Sequence, residues 1–206
     1  ALDDPARVVQ IGAVGQNASL TFDGTVGQRI QMKVTDATTF GSTGLNWFLY
    51  RPDGSRPVHL RNNSLLDTFE LDQTGTWRVV FDPDAELTGS FKWRAWTVPP
   101  DVDLGSAALD DPARVVQIGA VGQNASLTFQ GTAGQRIQMK VTDATTFGTT
   151  GLNWYLYRPD GTRAVHLRNN SQMNTLELNQ TGTWRMVFDP AAELTGSFKW
   201  RAWTVP

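Results

Sequence analysis

The sequence predicts an all-β fold: two tandem β-sandwich domains of jelly-roll type, with about eight antiparallel strands each. Three observations carry that expectation. Apolar residues recur at every second position of short segments, not at helical spacing. Turn signatures of Gly, Pro, Asp and Asn separate these segments at intervals of about 8–12 residues. The whole pattern then occurs a second time. With 19 Gly and 10 Pro in 206 residues the composition suits tight turns and does not suit a helical bundle.

In chain order, Arg7 to Ile11 and Ala18 to Phe22 read as short strands, the second placing Leu20 and Phe22 opposite Ser19 and Thr21. Residues 24–28 turn. Residues 29–34 alternate strictly, with Ile30, Met32 and Val34 inward and Arg29, Gln31 and Lys33 outward. Leu45 to Tyr50 forms an aromatic strand that stops at Arg51-Pro52-Asp53-Gly54, where Pro presets φ and Gly supplies a positive one. Val58 to Leu60 and Thr68 to Leu71 are shorter strands, and a further turn follows at residues 72–75. Thr76 to Phe81 puts Trp77, Val79 and Phe81 on one face. Ser90 to Val98 closes the domain, with Phe91, Trp93 and Ala95 on one side and Lys92, Arg94 and Trp96 on the other.

Residues 1–99 align without a gap on 108–206, at a constant offset of 107, and the two copies differ at 13 positions. A period this long, with enough apolar side chains in each copy to close its own core, predicts separate domains at 1–99 and 108–206. Residues 100–107, rich in Pro, Gly and small polar groups, read as a linker. Asp23, Asp67, Asp72 and Asp84 become Gln130, Asn174, Asn179 and Ala191, so a site common to both copies cannot depend on those carboxylates.

Residues 27–30, 51–54, 73–77 and 88–91, with their repeats at 134–137, 158–161, 180–184 and 195–198, follow the order and spacing of the bacterial pre-peptidase C-terminal domains. The chain resembles that family over nearly all of each copy. The resemblance implies an extracytoplasmic accessory domain of a larger secreted or cell-surface protein, one that binds polymers or spaces other domains, some relatives using calcium. This sequence departs from the pattern in its tryptophans, at Trp77 and in the closing strand.

The function classes narrow further. A net charge of −2 offers no general surface for nucleic acid, and no apolar run is long enough to span a bilayer. The first residues, Ala1-Leu2-Asp3-Asp4-Pro5, lack the basic and apolar regions of a secretion signal, so the chain reads as an internal piece of a multidomain protein. There is no cysteine, hence no disulfide and no thiolate metal site. Each copy has one histidine, His59 or His166, within a strand, the sequence has no Gly-x-Ser-x-Gly nucleophile elbow, and no pair of acids is singled out, so no catalytic residue is assigned. Oxygen ligands for calcium are available from Asp3, Asp4 and Asp36 and from Asp110, Asp111 and Asp143, though without EF-hand spacing; their competing reading is as turn and solvated residues.

Eight tryptophans sharpen the expectation. Trp47, Trp77 and Trp93 are in phase with core residues. Trp96 shares its face with Lys92 and Arg94, and should therefore present its ring to solvent. Trp96, Arg94, Lys92 and Tyr50, with Trp203, Arg201, Lys199 and Tyr157, are the candidate ligand-binding residues: a flat aromatic platform with forked donors suits the C–H face and hydroxyls of a sugar. The expected partner is a polysaccharide or cell-surface glycan. Two rivals stand beside it, a spacer or adhesin repeat of a cell-surface protein with no small ligand and calcium-dependent binding; at the indole itself, a cover of Lys and Arg stems competes with sugar stacking.

Overall fold

The computed structural model describes residues 1–191 and 193–206. They form two compact units, Ala1–Val98 and Pro99–Pro206. In the first unit the strands are β1 (Arg7–Ile11), β2 (Ala18–Gly24), β3 (Arg29–Thr35), β4 (Leu45–Tyr50), β5 (Val58–Arg61), β6 (Leu65–Glu70), β7 (Gly75–Pro83) and β8 (Gly89–Thr97). In the second they are β9 (Val102–Ser106), β10 (Arg114–Ile118), β11 (Ala125–Gly131), β12 (Arg136–Thr142), β13 (Leu152–Tyr157), β14 (Arg163–Arg168), β15 (Gln172–Glu177), β16 (Gly182–Pro190) and β17 (Gly196–Thr204).

The first unit has two four-stranded sheets, ordered β1-β8-β3-β6 and β2-β7-β4-β5. Every pairing within them is antiparallel. Placing the first and last strands side by side in one sheet, and the second and seventh in the other, is the jelly-roll arrangement of eight strands. The second unit repeats it as β10-β17-β12-β15 and β14-β13-β16-β11-β9. Alternation explains the layers, since inward side chains of both sheets meet and outward ones face water.

The core of each unit is aromatic: Trp47, Trp77, Phe81, Phe91 and Trp93 in the first, and their equivalents in the second, are buried. Each such indole removes roughly 150–250 Å² from water, worth about 4–6 kcal/mol at ~25 cal/mol per Å². Trp77 and Trp184 are also held in register, their Nε1 groups donating to the carbonyls of Gln73 and Gln180 at 3.1 and 3.2 Å. The turn read at residues 51–54 is present, with Gly54 at φ +85° and its N–H donating to Arg51 O at 3.0 Å.

Two expectations are corrected. β6 begins at Leu65, before the expected Thr68, because the β3–β6 register shifts between Ile30 and Met32, and such a bulge interrupts the two-residue period by which strands are recognised. The supposed linker is not a free connector: residues 102–106 form β9, which adds in parallel to the edge of β11. Val102 and Leu104, two positions apart, put both apolar side chains against the second core.

Candidate ligand-binding face

The outer face of the sheet β10-β17-β12-β15 is built by the alternation of two neighbouring strands. On β17, Phe198, Trp200 and Ala202 point inward and are buried, which turns Lys199, Arg201 and Trp203 outward. On β12, Ile137, Met139 and Val141 are buried, which turns Gln138, Lys140 and Thr142 outward. Antiparallel pairing then sets Gln138 across from Trp203, Lys140 across from Arg201 and Thr142 across from Lys199. A cleft of about 350 Å³ lies there, lined chiefly by Asp110, Lys140, Lys199, Arg201 and Trp203.

Each group in the cleft has a definable state. The Trp203 indole is half-buried, with the Arg201 guanidinium 5.9 Å from its ring centre. Lys199 pairs with Asp143 at 2.9 Å. The Asp110 carboxylate accepts from the backbone N–H and the hydroxyl of Thr204 at 3.0 and 2.9 Å, while its own N–H donates to Ala202 O at 2.9 Å. Asp110 thus pins the chain ahead of β10 to the end of β17 and forms one wall. Lys140 and Arg201 face each other directly, an unfavourable like-charge pair on an open sheet.

Trp96 departs from expectation. Its strand alternates as predicted, and Lys92 and Arg94 are exposed beside it, yet the Trp96 side chain is 6% exposed. The Arg94 guanidinium stands 5.3 Å from the ring centre, and the cross-strand neighbour Gln31 is 1% exposed, its amide donating to Asp67 and Thr68 at 2.9 and 3.2 Å. Period-two reasoning assigns a side chain to a face; it does not say what covers that face. Only Trp203 of the pair offers accessible ring surface.

Tyr50 and Tyr157 also leave the group. Tyr50 is on β4 and Tyr157 on β13, in the opposite sheets of their sandwiches, so neither shares a surface with the closing-strand tryptophan. They join a second aromatic cluster instead: Arg78 lies 4.7 Å from the Tyr50 ring and Arg185 5.0 Å from that of Tyr157. Beside them His59 packs on Phe48 with ring centres 4.6 Å apart, and His166 on Tyr155 at 4.7 Å. Each histidine Nε2 meets an asparagine Oδ1, of Asn46 at 3.0 Å and of Asn153 at 3.1 Å. Burial, and then Arg168 and Arg163, hold the His166 pKa below its ordinary value.

The candidate calcium ligands are dispersed. Asp3 accepts from Thr97 as Asp110 does from Thr204, Asp4 pairs with the terminal amine of Ala1, and Asp36 pairs with Lys92 at 2.9 Å. Asp111 accepts from the Ala108 N–H. Among the described residues no three His, Asp or Glu side chains gather as a metal site would require. Asp3, Asp36, Asp110 and Asp143 all take positive φ, the turn role that their short polar side chains permit.

Lys140 and Thr142 lie outside the residues that the sequence nominates, and Asp110 is nominated there only as an oxygen ligand for calcium. Lys140 was accessible to inference, since its counterpart Lys33 alternates outward, but the neighbourhood of β12 and β17 was not.

No family model matches the chain, and no curated protein does. Solved structures share a distant similarity. The pre-peptidase C-terminal domain of a collagenase from Bacillus anthracis is 12% identical, covering 51% of this chain and 98% of that one with a TM-score of 0.42. The tandem CBM22-1–CBM22-2 domain of Paenibacillus barcinonensis Xyn10C is 10% identical, covering 98% and 93% with a TM-score of 0.32. A fucolectin from striped bass serum is 9% identical, covering 96% and 86% with a TM-score of 0.28. No helix is long and apolar enough to cross a membrane among the described residues.

Proposed function

We propose that the chain is a non-catalytic glycan-binding module of a larger secreted or cell-surface bacterial protein, and that it holds an acidic polysaccharide in the cleft beside Trp203. One observation carries this reading: a half-open indole stands in a cleft with Lys140, Lys199 and Arg201, two of which face each other across the ladder. A sugar ring stacks its C–H face on the indole, and a carboxylate or sulfate between Lys140 and Arg201 relieves their mutual repulsion while accepting charge-assisted hydrogen bonds. Because Trp96 is enclosed, Trp203 is the one such anchor of the pair.

The test is retention on insoluble acidic and neutral polysaccharides by affinity electrophoresis or pull-down. Trp203→Ala should lower affinity about 10- to 100-fold, the range of an aromatic anchor worth ~1.5–3 kcal/mol, with the second unit still folded because the ring is only half-buried. Trp96→Ala should leave retention unchanged. Binding should weaken as salt rises from about 0.05 to 0.5 M, since the cations are solvent-exposed. Retention indifferent to Trp203→Ala refutes the site. The enclosure of Trp96 favours a second reading for the first unit, that of a spacer; it predicts that flat titrations result when Trp203 is removed.

A further inference from the structure

The two units differ at one sheet edge although the residues of that edge are the same. In the second unit β9 runs beside β11, with Val102 against Ala125, Asp103 against Ser126 and Ser106 against Thr128. Val102 N–H donates to Asn124 O and Ala107 N–H to Thr128 O, both at 2.8 Å. Asn124 N–H donates to the Asp101 carboxylate at 3.1 Å, and the Arg114 guanidinium donates to the carbonyls of Leu104 and Ser106 at 3.2 Å each. Under this strand Ala125 and Leu127 are fully buried.

In the first unit β2 is the terminal strand of its sheet. Residues 17–22 are identical to 124–129, and Arg7 stands where Arg114 does. Yet Ala18 and Leu20 are only half-buried, and Arg7 is exposed. The first unit therefore has the same backbone row, the same two apolar seats and the same arginine as the second, with the outer side of β2 presented to solvent. A row of edge N–H and C=O groups beside partly open apolar positions is a template for strand addition.

We infer that the outer edge of β2 is a strand-acceptor site whose occupant is an extended peptide of the chemistry of residues 100–107: a Val and a Leu two positions apart, an Asp before each, and a closing Gly-Ser, running parallel to β2. In the second unit residues 100–107 enter at Ala108 and seat β9 on β11, so a peptide of this composition joined ahead of Ala1 would reach β2 in the same register. Period two sends both apolar side chains onto Ala18 and Leu20, while Arg7 takes the carbonyls near the end of the strand. Such a peptide gives the first sandwich a ninth strand, as β9 does in the second.

The experiment grafts Pro-Asp-Val-Asp-Leu-Gly-Ser-Ala ahead of Ala1 of the full chain and measures hydrogen exchange. The comparisons are the unmodified chain and a graft in which the Val and Leu are replaced by Asp. The β2 amides facing away from β7 should gain protection by about tenfold or more in the first graft and not in the second. A labelled peptide of the same sequence, added to the unmodified chain, should bind once per chain and lose binding in Leu20→Glu. Protection unchanged by the graft overturns the proposal. So does concentration-dependent dimerisation through β2 that the graft leaves intact, which would make a second copy the occupant.

Discussion

Removal of Asp110 separates a structural clamp from a metal ligand at the wall of the cleft. Three substitutions divide its contributions. Asp110→Asn keeps one acceptor oxygen and the tolerance of positive φ, here +72°, and should cost below about 1 kcal/mol. Asp110→Gly loses both bonds to Thr204, at 3.0 and 2.9 Å. As solvent-accessible bonds these are worth ~0.5–1.5 kcal/mol each, and the freer unfolded chain adds about 0.4–1, giving a cost of about 2 kcal/mol. Asp110→Ala loses the same bonds and forces a Cβ into the left-handed region for about 1–2 kcal/mol, giving a cost near 3. Thermal unfolding of the full chain, followed through the second transition, reads these as shifts of about 4 °C per kcal/mol for a unit of this size. Asp3 makes the same bonds to Thr97 at φ +68° and provides an independent series in the first unit. Equal effects of Asn and Ala would refute the clamp. A calcium-dependent rise in the midpoint that Asp110→Asn abolishes would transfer the residue to metal ligation.

Further outcomes follow from contacts elsewhere. A Cβ at Gly131 would lie 2.5 Å from Leu178 Cδ1 and 2.8 Å from Trp184 Cδ1, so Gly131→Ala should destabilise the second unit by about 1–3 kcal/mol, read as a lower urea midpoint; an unchanged midpoint would contradict the packing. Hydrogen bonds from Gln73 and Ser55 hold Asp53 at about 2, and those from Thr162 and Gln180 hold Asp160 at about 2, against an ordinary 3.8. Both pKa values are lower in the folded state, which therefore binds fewer protons than the unfolded chain. Their stabilisation is present above pH 3.8 and is lost as pH falls toward about 2. The double variant Asp53→Asn, Asp160→Asn should flatten the midpoint's decline over that window, and an unaltered acid limb would exclude the assignment.

Strand composition and the inward residues were legible because both are local: Ile30, Met32 and Val34, or Trp77, Val79 and Phe81, declare a buried face by alternation alone. The repeat was legible by inspection, and the turn at Asp53-Gly54 by its chemistry. What covers an outward face was not. Trp96 and Trp203 lie in identical nine-residue strands, yet one is enclosed and the other half-open. Alternation turns both Tyr50 and Trp96 outward, but a sandwich has two outer faces, and only the jelly-roll strand order assigns β4 and β8 to different ones.

The sequence by itself determined an all-β chain, its duplication, the turns, and the list of side chains that leave the core, since each depends on neighbours within a few residues. Tertiary structure alone decided which of those side chains share a surface, that Lys140 stands against Arg201 beside Trp203, and that residues 102–106 complete a sheet. The physical reason is that strand pairing joins segments far apart in the chain, and a period of two constrains the face of a residue without constraining the partner strand or what lies above it.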